Sequence, residues 1–281
     1  MTTGNAGRVC FYADPGADPG ARPLLLLHSI NAAPSAMEIK PLFDHYRGQR
    51  PVYAPDLPGF GLSERADIDY SPALYADTLL AIIDTITTRP VDVVALSTTA
   101  EFVARAALTA PERFASLTLI SPTGLGNRTP ISPQTSARLH RFFRLPGLGG
   151  GLYRLLTTRL SIRYFLAMAF TGDTPADLID YACKTTRQPG ARYAPYCFLS
   201  GKLFTAGAHK HLYAKLEVKT LILYDQDPNV SFDRLPALLE HNAQISAVRI
   251  APTLGLPHWQ MPAETTAALD AFWKPTSAPE T

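Results

Sequence analysis

Ser97 stands where an apolar stretch, Val91-Asp-Val-Val-Ala-Leu96, meets an alanine-rich stretch with helical apolar spacing that runs to Ala110. The first stretch reads as a buried parallel strand, and no residues remain for a relaxed loop before the helix. The serine must then occupy a sharp turn that pushes its hydroxyl out at the carboxyl end of a sheet, which is how a chain presents a nucleophile. Residues two before and two after such a serine need to be small; Ala95 satisfies this, and Thr99 is larger than the turn wants. A helix-capping serine is the alternative reading of the same residues. A serine hydroxyl attacks only when a base takes its proton, and the base in turn needs a carboxylate to hold its tautomer.

Other chemistry finds less support. His209-Lys-His211 supplies two metal-ligand types without a third, and Cys10, Cys183 and Cys197 are an odd set without metal spacing. No metal, cofactor or disulfide framework is expected. Gly147-Leu-Gly-Gly-Gly151 lacks the preceding strand and the Lys-Ser/Thr ending of a phosphate loop, and reads as a flexible hinge.

The elements that must position Ser97 follow from periodicity. Strand-like runs at RVCFYA, PLLLLHS, PVYAPDLP, VDVVALS, FASLTLIS, KTLILYDQ and ISAVRIAPT alternate with helix-like runs near 34–47, 71–88, 98–110, 231–241 and 262–274. That alternation predicts an α/β fold, a mostly parallel sheet flanked by helices, with sites at the carboxyl ends of its strands. The segment from Tyr12 to Gly20 is turn-rich, and the C-terminal SAPET is expected to fray.

Between 124 and 212 the strands vanish. This stretch holds nine arginines and three lysines against three aspartates, a net +9 in a chain whose total is +2. It predicts an inserted helical cap, 124–212, over a core of 1–123 and 213–281. Leu139-His-Arg-Phe-Phe-Arg-Leu145 and Tyr153 to Leu160 interleave cations with aromatic and leucine residues, as a surface-seeking helix does. Peripheral contact with an anionic membrane or amphiphile and a solvated basic face stand side by side as readings.

With 281 residues, 46% hydrophobic and 18% charged, the chain can bury a sizeable core. No basic start with an apolar h-region opens it, and no apolar run approaches the roughly 18 residues of a membrane span. The expectation is a soluble cytoplasmic protein, at most membrane-peripheral, with no nucleic-acid partner.

Four landmarks in order resemble the α/β-hydrolase superfamily over nearly all of 9–274. They are Leu24-Leu-Leu-Leu-His28-Ser-Ile-Asn31, Asp56-Leu-Pro-Gly-Phe-Gly-Leu-Ser63, the Ser97 turn, and the late pair Leu221 to Val230 and Leu256 to Glu264. The resemblance implies an α/β-hydrolase fold, with Ser97 as nucleophile, His258 as base, and backbone oxyanion donors at Ile30 and Thr98. Asp225 and Asp227 compete for the acid; matching Asp227-Pro-Asn-Val to the family's pattern selects Asp227. Asp56 is expected to orient its Pro-Gly turn, while Glu101 either approaches the site or pairs with the basic cap. His28, Ser29, Phe142, Phe165 and Trp259 are the expected substrate-pocket residues. Ser29 and Thr99 stand where the family usually has glycine. The function implied is hydrolysis of a small-molecule carboxylic ester, thioester or lactone with an apolar acyl or ring moiety. Carbon–carbon bond hydrolysis of a dienoate and a non-catalytic ligand-binding homologue are the alternatives.

Overall fold

The computed structural model describes residues 1–3, 6–18 and 20–274. A short antiparallel ribbon, β1 (Thr2–Thr3) with β2 (Gly7–Arg8), precedes a seven-stranded sheet. The sheet is built from β3 (Phe11–Asp14), β4 (Leu24–Leu27), β5 (Val52–Pro55), β6 (Val91–Leu96), β7 (Phe114–Ile120), β8 (Thr220–Gln226) and β9 (Ile245–Leu254). Its order is β3-β5-β4-β6-β7-β8-β9, and all neighbours are parallel except β3 with β5.

The uninterrupted apolar runs of β4 and β6 follow from burial on both faces. Alternation sends Leu25, Leu27, Val93 and Ala95 into one cluster, where they meet residues of α2 (Pro72–Ile86) and α3 (Thr99–Thr109). Leu24, Leu26, Val94 and Leu96 go to the other, with residues of α1 (Lys40–Tyr46) and of the final helix. Each fully buried aliphatic side chain contributes about 1.5–3 kcal/mol. A one-residue slip of β6 would exchange these faces, so the register that delivers Ser97 is strongly specified.

No strand lies between β7 and β8 among the described residues. That interval holds α4 (Pro133–Phe143), α5 (Leu148–Leu156), α6 (Arg159–Ala167), α7 (Ala176–Thr186), α8 (Tyr193–Leu199) and α9 (Ala208–His211). The chain closes with α10 (Leu235–His241), α11 (Pro257–Gln260) and α12 (Pro262–Trp273).

Two sequence expectations change. The single strand expected at Arg8 to Ala13 divides, because the Val9 amide bonds Met1 O and the Cys10 amide bonds Ser63 Oγ. The glycines expected to form a hinge lie inside α5 from Gly149 to Gly151, with Gly147 at its N-cap. A Cβ on Gly149 would come within 1.6 Å of Phe143 O, so glycine lets α5 pack against the end of α4. The SAPET segment lies outside the described residues.

Candidate active site

Ser97 follows β6 directly and has φ +52°, a left-handed conformation that L residues rarely adopt. Its amide bonds Ile120 O at 2.9 Å, and α3 starts two residues later. The strand and helix thus hold the strained turn from both sides. Ser121, at the end of the adjacent β7, repeats the feature with φ +44°.

Ser97 opens into a cavity of about 360 Å³, bounded by strand ends on one side and by α5–α8 on the other. This is within the size of small-molecule sites. Leu156, Ile162, Phe165, Leu166, Phe198 and Leu199 supply apolar wall from the helical insertion. Ile30, Thr98 and Ser29 line the opposite side. Among the described residues, neither the Ile30 nor the Thr98 amide has a protein acceptor. Two unengaged N–H groups on residues that share the cavity with Ser97 can stabilise charge developing on a carbonyl.

The two positions where glycine was expected are fastened by polar side chains. The Thr99 hydroxyl donates to His28 O at 2.7 Å, tying the start of α3 to the end of β4. The Ser29 amide donates to Glu38 Oε2 at 2.8 Å, and the Asn31 amide group donates to Glu38 Oε1 at 2.9 Å.

Asp227 lines the same cavity. Its Oδ1 accepts the amides of Asn229 (2.8 Å) and Val230 (3.1 Å). Burial pushes its pKa up, against the lowering effect of those amides and of the neighbouring Ser121 hydroxyl. Asp225 is engaged elsewhere: it accepts from Arg249 Nε at 2.7 Å and from the Thr253 amide at 2.8 Å. Burial acts to raise the Asp225 pKa, but these bonds outweigh it and hold the carboxyl below its ordinary value.

His258 is not brought to either group. Pro257 starts α11 immediately after the turn, and His258 rides on that helix away from the cavity, with its ring fully buried. Its Nε2 donates to Glu38 O at 2.7 Å, and its Nδ1 has no partner among the described residues. Burial lowers its pKa to about 4, so the ring is neutral at ordinary pH. Neither Asp225 nor Asp227 is bonded to it. The Trp259 indole donates to the same Glu38 carbonyl at 2.6 Å and lies outside the cavity wall.

The remaining sequence candidates divide. Phe165 lines the cavity, whereas Phe142 is 44% exposed on the outer face of α4. His28 is buried behind the wall, its Nε2 accepting the Leu57 amide and its Nδ1 donating to Ser29 O. Asp56 accepts the amides of Ala36 and Leu62, both at 2.8 Å, and orients its turn. Glu101 accepts from the Thr123 hydroxyl at 2.5 Å and the Thr205 amide at 2.7 Å, fastening α3 to the root of the insertion. Burial raises its pKa. His209 bonds Arg234 at 2.9 Å, and among the described residues no group of three or more His, Cys, Asp or Glu side chains could hold a metal ion.

Sequence reasoning missed Glu38, Ser121 and Gly255. Glu38 carries no motif signal, because its partners are distant in sequence. Ser121, at the end of an apolar run as Ser97 is, offered a positional signal. Gly255 reads as an ordinary turn glycine, yet a Cβ there would stand 2.5 Å from Asp227 Oδ2.

No curated protein matches the sequence. Solved structures do match the fold. A serine hydrolase involved in carbazole degradation superposes with TM-score 0.74 at 16% identity, covering 93% of each chain. A thermophilic esterase from Thermogutta terrifontis gives 0.72 at 17%, covering 94% of this chain and 92% of that one. A meta-cleavage product hydrolase from Pseudomonas fluorescens gives 0.73 at 15%, covering 95% and 94%. At these identities the likeness is one of fold. The family model described as the alpha/beta hydrolase family matches residues 24–269, in keeping with the parallel sheet and the site at its strand ends, and this chain belongs to that family.

Proposed function

We propose that this chain binds an ester, thioester or lactone with an apolar acyl or ring moiety, and that Ser97 attacks its carbonyl to form an acyl-enzyme. The observation that carries this reading is Ser97 at φ +52°, facing the same cavity as the unengaged Ile30 and Thr98 amides. In such a site the carbonyl oxygen sits between the two amides, each contributing about 3 kcal/mol to the barrier reduction. The acyl or ring moiety lies against the apolar wall. The insertion acts as a cap, its basic and apolar outer surface meeting amphiphilic or anionic substrates.

A second reading, ligand binding without turnover, is favoured by one observation: His258 is bonded to Glu38 O and does not line the cavity. Fluorophosphonate labelling, run beside a series of p-nitrophenyl esters of increasing acyl length and a dienoate, separates the readings. Acyl transfer predicts labelling that Ser97→Ala abolishes, together with ester turnover. A folded protein that neither labels nor turns over any ester, with or without added imidazole, overturns it and leaves the binding reading.

A further inference from the structure

Among the described residues, Glu38 and Asp227 are the only ionisable side chains that line the cavity. Glu38 is fully committed: its two carboxylate oxygens receive Ser29 N and Asn31 Nδ2, and its carbonyl receives His258 and Trp259. Asp227 is committed only in part. Its Oδ1 takes two backbone amides and the Ser121 hydroxyl neighbours the carboxylate, while its Oδ2 faces Gly255, where a Cβ would stand 2.5 Å away. A base that links an acid to a serine must act from beside that oxygen. Here the residue beside it is glycine, and among the described residues no histidine or lysine lines the cavity.

We infer that the corner formed by Asp227, Gly255 and Ser97 is a binding site for an azole-type nitrogen base from outside the chain, one N–H donating to Asp227 Oδ2 and the second nitrogen facing Ser97. The inference rests on the reading of Ser97 as acyl acceptor. The lone-pair nitrogen takes the Ser97 proton as the Oγ–carbon bond forms. The resulting cation returns that proton to the leaving oxygen as the ester carbon–oxygen bond breaks. Water then adds to the acyl carbon, giving its proton to the same nitrogen, which passes it to Ser97 Oγ as the acid departs. Ester and water become acid and alcohol, and the base is regenerated. Two sources fit the site: a free azole, or one carried on the substrate.

The test measures p-nitrophenyl butyrate hydrolysis by the intact protein across an imidazole series, after subtraction of the reaction without enzyme. The expected result is a saturable rise of at least about a hundredfold, the lower end of what a positioned general base contributes. 1-Methylimidazole, which has no N–H for Asp227, gives less, and Asp227→Asn removes the difference between the two azoles. Ser97→Ala removes the whole enzymatic increment. The butyrate ester of imidazolyl-ethanol tests the substrate-borne source: turnover without added imidazole assigns the base to the substrate, and a need for added imidazole assigns it to solution. Turnover that imidazole leaves unchanged, together with no advantage for the imidazole-bearing ester, overturns the inference. If fluorophosphonate still labels Ser97 in that case, the acyl-acceptor reading stands alone. Failure of Ser97 to label in a folded protein, with or without imidazole, overturns both.

Discussion

A left-handed backbone costs an L residue roughly 1–2 kcal/mol, and Ser97 bears that cost to hold its hydroxyl in the cavity. Ser97→Gly should therefore raise stability by about 1 kcal/mol in urea unfolding while eliminating fluorophosphonate labelling. His258 makes a different prediction. Its folded pKa is lowered from 6.5 to about 4 by burial. The unfolded chain thus binds a proton that the folded chain refuses, and stability is present above pH 6.5 and falls as pH drops toward 4. The loss is about 3 kcal/mol, read as a shift in unfolding midpoint between neutral and acid pH, and His258→Gln should remove that pH dependence. The sharp turn at Ser97 was legible because a strand and a helix met without a loop. The role expected of His258 was not legible, since order along the chain does not say which way a side chain points once Pro257 starts a helix. Gly255 was missed for a related reason: its meaning lies in the carboxylate opposite it, and sequence spacing does not show that neighbour.

At the scale of elements, β4 and β6 are neighbours with Leu27 opposite Ala95, so the turns that follow them stand side by side. The Thr99–His28 bond fixes their separation. Thr99→Val keeps the shape but leaves a buried carbonyl unpaired, and should cost about 1–3 kcal/mol with slower Ser97 labelling. Asp227, at the end of β8, has its folded pKa raised by burial, so its contribution to stability declines as pH rises from the unfolded value through the folded one. Asp227→Asn, which can still accept the two amides, should then melt at a higher temperature than the parent at neutral pH, with the gain shrinking in acid. The strands were readable because burial on both faces leaves continuous apolar runs. The helices of the insertion were harder, since α5 carries glycines that close packing against Phe143 requires and that local sequence renders as a hinge.

Across the whole molecule, exposed large apolar side chains gather on the insertion, including Leu145, Leu148, Leu155, Leu160 and Tyr164, beside its excess of arginine. No helix among the described residues is long and apolar enough to cross a membrane. The arrangement predicts sedimentation with anionic but not neutral vesicles at low salt, at roughly 1 kcal/mol per basic residue near the surface, and release at high salt. Equal recovery in the supernatant under all conditions would assign this surface to solvent. One attachment makes that surface matter at a distance. Glu101 lies one turn beyond Ser97 on α3 and grips the root of the insertion through Thr205 and Thr123. The helix that begins just after the Ser97 turn is therefore also the one to which the root of the insertion is fastened, so the strained turn and the insertion share a single support.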